Sequence, residues 1–186
     1  MGMPARQTSW TVEMVRALPD DGKRYEVLDG ELFVSPAPSW KHQAVLKRLL
    51  MIIDPYVVRH SLGWTRWSPA DIPFSSSTSL QPDLFIVPDE GMGEPESWKD
   101  VKRLLLVIEA LSATTARFDR PEKRRKYQEA GVPEYWILDI DARLVERWTP
   151  GEDRPDVSAD VLVWHPNTHI EPLRIELDEV FGSGRG

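Results

Sequence analysis

Hydrophobic positions along the chain change their period several times, and each change marks an expected element. In TSWTVEMVRALPDDGKR, the residues Val12, Val15, Ala17 and Leu18 recur at roughly helical spacing behind Thr8 or Ser9, either of which suits an N-cap. A short leading helix is predicted there. RYEVLDGELFVSP then carries two apolar, β-prone arms around Asp29-Gly30, a dipeptide that favours a type I′ hairpin turn because both positions accept positive φ. From Ser39 to about Val58, the residues Val45, Leu46, Leu49, Leu50, Ile53 and Val57 return to helical spacing with Ser39 as N-cap. A long, largely buried helix follows. Extended pieces near 64–67 and 71–74 lead through a polar loop, SSSTSL, into QPDLFIVP, which reads as an interior strand opening with Pro82 and Asp83.

RLLLVIEA is nearly all apolar, as expected of a strand covered on both faces, and Glu109 stands at its end. A helix is predicted from about Asp119 to Ala130. Asp119 would be its N-cap, with Pro121 in the first turn, Glu122 at the capping-box position, and Gly131 and Pro133 as stop signals. EYWILDI and RLVERW flank Asp141-Ala142 as a second hairpin. Residues 149–160 read as a polar surface loop, and 161–164 with 173–177 as a last strand pair. The sum is an α/β chain with a central sheet.

A length of 186 residues with 41% hydrophobic and 28% charged content suits one compact domain, 1–186. Without cysteine there is neither a disulfide scaffold nor a thiolate metal site. The opening MGMPARQTSW lacks the apolar core of a secretory signal, and no apolar run approaches the roughly 20 residues that span a bilayer. A cytoplasmic location without membrane insertion is expected. Repeats, GxGxxG and P-loop patterns are absent, so nucleotide cofactors get no support. Net charge is −7, from 23 Lys and Arg against 30 Asp and Glu, which disfavours broad non-specific DNA binding. One basic run, Arg117, Arg120, Lys123, Arg124, Arg125 and Lys126, reads as a phosphate track or equally as a solvated helix face.

An ionised carboxylate at the end of an apolar strand is costly unless a cation or strong donors compensate it. Asp83 and Glu109 both hold that position. If their strands are neighbours, the carboxylates converge and repel, and Mg²⁺ or Mn²⁺ relieves the repulsion with hard oxygen ligands. Each alone reads more simply as a helix cap or a strand-edge ion pair. Lys123 shares a helix face with Tyr127, four residues on, while Glu122 and Lys126 suit an outward pair. Lys123 also lies four residues after Asp119, where a surface ion pair is its simpler role. His42, one turn before Val45 and Leu46, reads first as a packed core histidine and second as support for a metal ligand. Tyr25, Tyr127, Tyr135 and Trp136 read first as packing residues.

QPDLFIV followed by VIEALSATTARFDRPEKRRKYQEAGVPEYWILD resembles the Uma-type restriction endonuclease family of the PD-(D/E)XK nuclease superfamily. RYEVLDGELFVSPAPSWKHQAVLKRLL resembles that family's opening motif, and the likeness runs from about 25 to 148. It implies a restriction-endonuclease-like fold, a central mixed β-sheet flanked by helices. It further implies Asp83 and Glu109 as metal ligands, the Ala110 carbonyl as an additional ligand and Lys123 as the catalytic lysine. Glu31 would complete the acidic cluster, with His42 and Tyr127 in support. The superfamily's lysine two residues after the glutamate is replaced here by Leu111, and Lys123 on the following helix takes its place. Ala110 and Ala113 stand where valine and proline are common, and neither change removes a functional group.

The implied activity is Mg²⁺- or Mn²⁺-dependent hydrolysis of phosphodiester bonds in nucleic acid, with DNA the expected substrate. Eight tryptophans and the habits of the fold suggest a homodimer. Two other readings compete. One is a non-catalytic binding or regulatory protein on the same fold, favoured by the acidic charge; the other is a metal hydrolase of a small phosphoester.

Overall fold

The computed structural model describes residues 9–111 and 116–182. Thr8 and Ala113 lie outside the described residues, as do the side chains of Arg117, Asp119 and Arg120. The leading helix α1 (Val12–Arg16) is capped by Thr11 rather than Ser9. Thr11 has the extended backbone an N-cap needs, and its hydroxyl accepts from the Met14 N–H at 3.3 Å. Strands β1 (Arg24–Leu28) and β2 (Glu31–Ser35) pair antiparallel with Leu28 opposite Glu31. Their turn holds Asp29 at φ 49° and Gly30 at φ 85°, the two positive values a type I′ turn requires. Helix α2 (Trp40–Arg59) is capped by Ser39, whose hydroxyl accepts from the His42 N–H at 3.2 Å.

After β3 (Gly63–Trp67) and β4 (Ile72–Ser75), the serine-rich stretch contains a strand, β5 (Thr78–Leu80), and is not simply a loop. Its small polar side chains are buried, and the Thr78 hydroxyl accepts from the Asp29 N–H at 3.0 Å while donating to the Asp29 carboxylate at 3.2 Å. Those bonds satisfy Thr78 inside, while the Ser79 hydroxyl has no partner among the described residues. The first sheet has the order β2-β1-β5-β4.

The central six-stranded sheet adds β6 (Leu84–Pro88), β7 (Leu106–Leu111), β8 (Glu134–Asp139), β9 (Leu144–Trp148) and β10 (Asp156–Ser158) to β3. Its order is β10-β9-β8-β7-β6-β3, and only β7 and β8 run parallel. Helix α3 (Ala116–Glu129) makes the crossover between them. It begins before Asp119, so Asp119 lies inside the helix rather than at its N-cap, and the capping-box reading of Glu122 falls with it. The expected loop 149–160 includes β10, an edge strand paired with β9. A separate pair, β11 (Val161–Trp164) and β12 (Leu173–Glu176), is followed by α4 (Leu177–Phe181), a five-residue helix too short to show a period.

Alternation sorts the sheet's two faces. Leu84, Ile86, Leu106, Ile108, Ala110, Trp136 and Leu138 pack on Val45, Leu49 and Ile53 of α2 and on Val180 of α4. Phe85, Val87, Val107, Leu111, Tyr135 and Ile137 pack on Tyr127 of α3 and Leu28 of β1. Every residue of β7 is buried, as its apolar run requires. A smaller cluster joins Val27 to Val12 and Val15, so β1 turns Tyr25 and Val27 toward α1 and presents Arg24, Glu26 and Leu28 on its other face. Among the described residues, no helix is long and apolar enough to cross a membrane.

Candidate active site

Strands β6 and β7 are antiparallel neighbours with Leu84 opposite Ile108, which brings Asp83 abreast of Glu109 at one end of the sheet. Each is only 2% exposed. Asp83 Oδ2 accepts the Ala110 N–H at 2.9 Å and lies 3.0 Å from His42 Nε2 on the first turn of α2. Asp83 Oδ1 accepts from Arg24 Nη2 of β1 at 2.7 Å. Glu109 Oε1 accepts from Lys123 Nζ at 3.3 Å and from the Tyr127 hydroxyl at 3.2 Å, two groups one turn apart on α3. Lys123 Nζ donates as well to Glu26 Oε2 at 2.8 Å, and Glu26 Oε1 accepts the Gln81 N–H at 2.8 Å.

Burial acts strongly on Asp83, Glu109, Lys123 and Arg24, and its balance against their neighbours differs from one to the next. For Asp83, burial pushes the pKa up, but the His42 hydrogen bond, the Arg24 charge and the Ala110 N–H outweigh it and hold the carboxyl at about 2. For Glu109, burial dominates; Lys123 opposes it, Asp83 and Glu26 add to it, and the pKa rises to about 8. Burial alone would lower the pKa of Lys123, yet the charges of Glu109 and Glu26 raise it. Arg24 is likewise held charged, by Asp83, Glu109 and Glu26. Three buried carboxyl groups thus face two cations, and crowding among them makes Glu109 hold its proton more tightly than an ordinary carboxyl does. A hard cation is the other way to relieve that crowding.

Of the residues singled out in the sequence, the structure brings together Asp83, Glu109, Ala110, Lys123, Tyr127 and His42. Lys123 is 6% exposed and pairs inward, so the surface ion-pair reading does not hold for it. Glu31 is not in the cluster: it is exposed, at the turn end of β2, two positions nearer the turn than Glu26. Glu26, 2% exposed, takes the place expected of Glu31. Glu26 and Arg24 were missed by sequence reasoning. The available signal was their opposite charge at i and i+2, on one face of a strand whose other face, Tyr25 and Val27, is apolar. Of the basic run, the described side chains beyond Lys123 are each engaged on the protein's own surface. Lys126 pairs with Asp29 at 2.8 Å and Glu129 at 3.2 Å instead of Glu122, Arg125 with Asp29 at 3.3 Å, and Arg124 stacks 4.2 Å over the Trp148 ring.

Among the described residues, no three His, Cys, Asp or Glu side chains form a metal-holding group by themselves. Two carboxylates and a main-chain carbonyl remain a sufficient protein share for Mg²⁺, which keeps several waters. In an extended strand a residue's N–H and C=O point to the same side, so the Ala110 carbonyl leaves β7 on the side where its N–H meets Asp83. His42 Nδ1 is buried without a hydrogen-bond partner among the described residues. Asp83, His42 and Arg24 border a cleft of about 960 Å³ that also meets Trp40, Lys47 and Trp67. The cluster therefore meets the cleft through Asp83 and its two partners, while Glu109, Lys123 and Tyr127 lie behind them.

A crystal structure described as "a putative nuclease belonging to DUF820" from Anabaena variabilis shares this fold with a TM-score of 0.74 at 18% identity. The match covers 92% of this chain and 97% of that one. No curated protein matches the chain. The family model "Uma2: Putative restriction endonuclease" matches residues 12–171, nearly the whole described structure and every residue of the buried cluster. The chain belongs to that family, on a restriction-endonuclease-like α/β fold.

Proposed function

We propose that this chain is a divalent-metal-dependent nuclease that hydrolyses phosphodiester bonds of nucleic acid, DNA in the first place. The observation that carries this reading is the buried pair of Asp83 and Glu109 at the end of two adjacent strands, with Lys123 of α3 against Glu109 and with Asp83 bordering an open cleft. Its donors are hard oxygens, the set that suits Mg²⁺ or Mn²⁺ better than metals that favour thiolate or imidazole. Asp83, Glu109 and the Ala110 carbonyl would hold the ion. When bound, it would lower the pKa of a coordinated water and draw charge from the phosphoryl oxygens.

The chain's own residues do the rest. Lys123 stays protonated and offers a fixed cation beside the carboxylates, where charge developing on a phosphoryl oxygen is stabilised without reorganisation. Tyr127 fixes the Glu109 carboxylate, and His42 and Arg24 fix Asp83 from two other elements. Glu26 holds the Lys123 ammonium in place.

Asp83→Asn and Glu109→Gln, which keep shape and hydrogen bonding, are expected to lower metal-dependent cleavage of plasmid and single-stranded DNA on the order of a hundredfold or more. Calorimetric Mg²⁺ or Mn²⁺ binding should fall with it. Cleavage by both variants at the wild-type rate sinks the assignment. A binding or regulatory role is the second reading, favoured by the Arg24 ion pair, which satisfies Asp83 without a metal. No heat with millimolar Mg²⁺ or Mn²⁺, and no cleavage, would point to it.

A further inference from the structure

The cleft that ends at Asp83 differs from the rest of the surface in two respects. The first is aromatic. Trp40 is 91% exposed at the start of α2, two residues before the histidine that touches Asp83. Trp67 is 56% exposed at the end of β3, opposite Leu84 and so beside Asp83, whose carbonyl accepts the Ser68 N–H at 3.1 Å. Single exposed apolar residues are ordinary, but two indoles at the mouth of one cleft are not. Met51, 66% exposed, lies on the same wall eleven residues along α2 from Trp40, about 16 Å at the helical rise.

The second respect is charge. Lys23, Arg24, Lys47 and Arg48 line the cleft against Asp20 and Asp83, four cations to two anions in a chain of net charge −7. Arg24 is committed to Asp83 and Arg48 to the Val180 carbonyl, which leaves Lys47 and Lys23 for a ligand. The exposed pair of Lys23 with Asp21 exchanges readily. Two available lysines are too few to neutralise both backbones of a duplex, whose binding rests mainly on phosphate contacts. Exposed indoles beside a short cationic strip are instead the means by which proteins hold unpaired bases, since every base has a face to stack.

We propose that this cleft takes a single nucleic-acid strand, with bases stacking on Trp40 and Trp67 and phosphates passing Lys47 and Lys23 toward Asp83. This deepens the nuclease reading by naming its substrate as unpaired strand. Both tryptophans are exposed and outside the buried cluster, so their replacement leaves the fold and the carboxylates intact.

The test measures anisotropy of a labelled mixed-sequence oligodeoxynucleotide in chelator, against the same sequence as duplex and against an abasic strand that keeps its phosphates. The intact strand should bind tightest. Trp40→Ala and Trp67→Ala should each weaken it roughly tenfold, with little change for the abasic strand. Equal binding of intact and abasic strands, duplex binding as tight as strand binding, or indifference to both substitutions overturns the proposal. So does light scattering that shows a homodimer dissociated by Trp40→Ala, because the indole then serves a second copy of the chain. Cleavage assays with Mg²⁺ separate the two levels. Duplex cut without strand binding keeps the nuclease and removes this inference, whereas tryptophan-dependent strand binding without any cleavage keeps this inference and removes the nuclease.

Discussion

At the residue scale, Glu26 and Glu31 make the sharpest contrast. Both are glutamates of one hairpin, yet Glu26 is buried against Lys123 and the Gln81 N–H while Glu31 is exposed. Glu26→Gln removes one partner of a buried ion pair and is expected to cost about 2 kcal/mol or more, whereas Glu31→Gln should stay within about 0.5 kcal/mol. Urea denaturation of the two variants checks this, and equal costs contradict it. Glu109 supplies a second prediction. Its pKa in the folded chain, about 8, stands above the ordinary 4.5, so folding tightens its proton. That stabilisation is whole below pH 4.5, shrinks as pH rises and is gone above about 8. The metal-free wild type should therefore lose stability relative to Glu109→Gln as pH rises across that window; wild-type stability that stays level with the variant's, or gains on it, refutes the assignment. Asp83 and Glu109 stood out as strand-end carboxylates and Lys123 with Tyr127 as an i to i+4 pair, but it was the family resemblance, not the pattern alone, that grouped them into one site. Glu26 was not legible, because a glutamate between Tyr25 and Val27 reads as the solvent side of an ordinary alternation, and what covers it lies 97 residues away on α3.

Elements matter to the site through the first hairpin, which delivers Arg24 and Glu26 together. Its turn is fastened at the Asp29 carboxylate by Thr78 of β5 and by Lys126 and Arg125 of α3. Gly30→Ala meets two obstacles at once, a φ of +85° and a Cβ that would collide with the Ser9 side chain. It should destabilise by about 1 kcal/mol or more and weaken activity through the displaced Arg24 and Glu26. Gly63→Ala is expected to be worse, since its Cβ would strike the backbone of Val87 and Pro88 and part β3 from β6. Thermal melts rank the two, and a neutral Gly63→Ala would contradict the register. The hairpin, α2 with its Ser39 cap and the buried β7 were readable from local chemistry, as turn dipeptide, cap and unbroken apolar run. Strand β5 was hidden because Thr78 and Ser79 are polar, and the Thr78 hydroxyl is satisfied by Asp29, far off in sequence. Helix α4 and strand β10, of five and three residues, are shorter than any period that could announce them.

For the whole molecule, the acidic surface and the small number of cleft cations set how binding responds to salt. A strand meeting only two or three phosphate contacts should show a slope of log K against log salt of about −2 or shallower, far from that of a protein wrapped by duplex. Anisotropy titrations at several salt concentrations measure it, and a steep slope would mean that phosphate contacts outside the cleft dominate. The pairing of Arg24 with Asp83 and of Lys123 with Glu26 and Glu109 has a further consequence, for how the chain comes into being. Carboxylates left bare would tie folding to the supply of metal, as in small zinc domains that are unfolded until loaded. Here the counter-ions are built into β1 and α3. Synthesis and folding can therefore finish in a cell starved of divalent ions, so that under the proposed metal-dependent reading the supply of metal would govern activity and not the making of the protein.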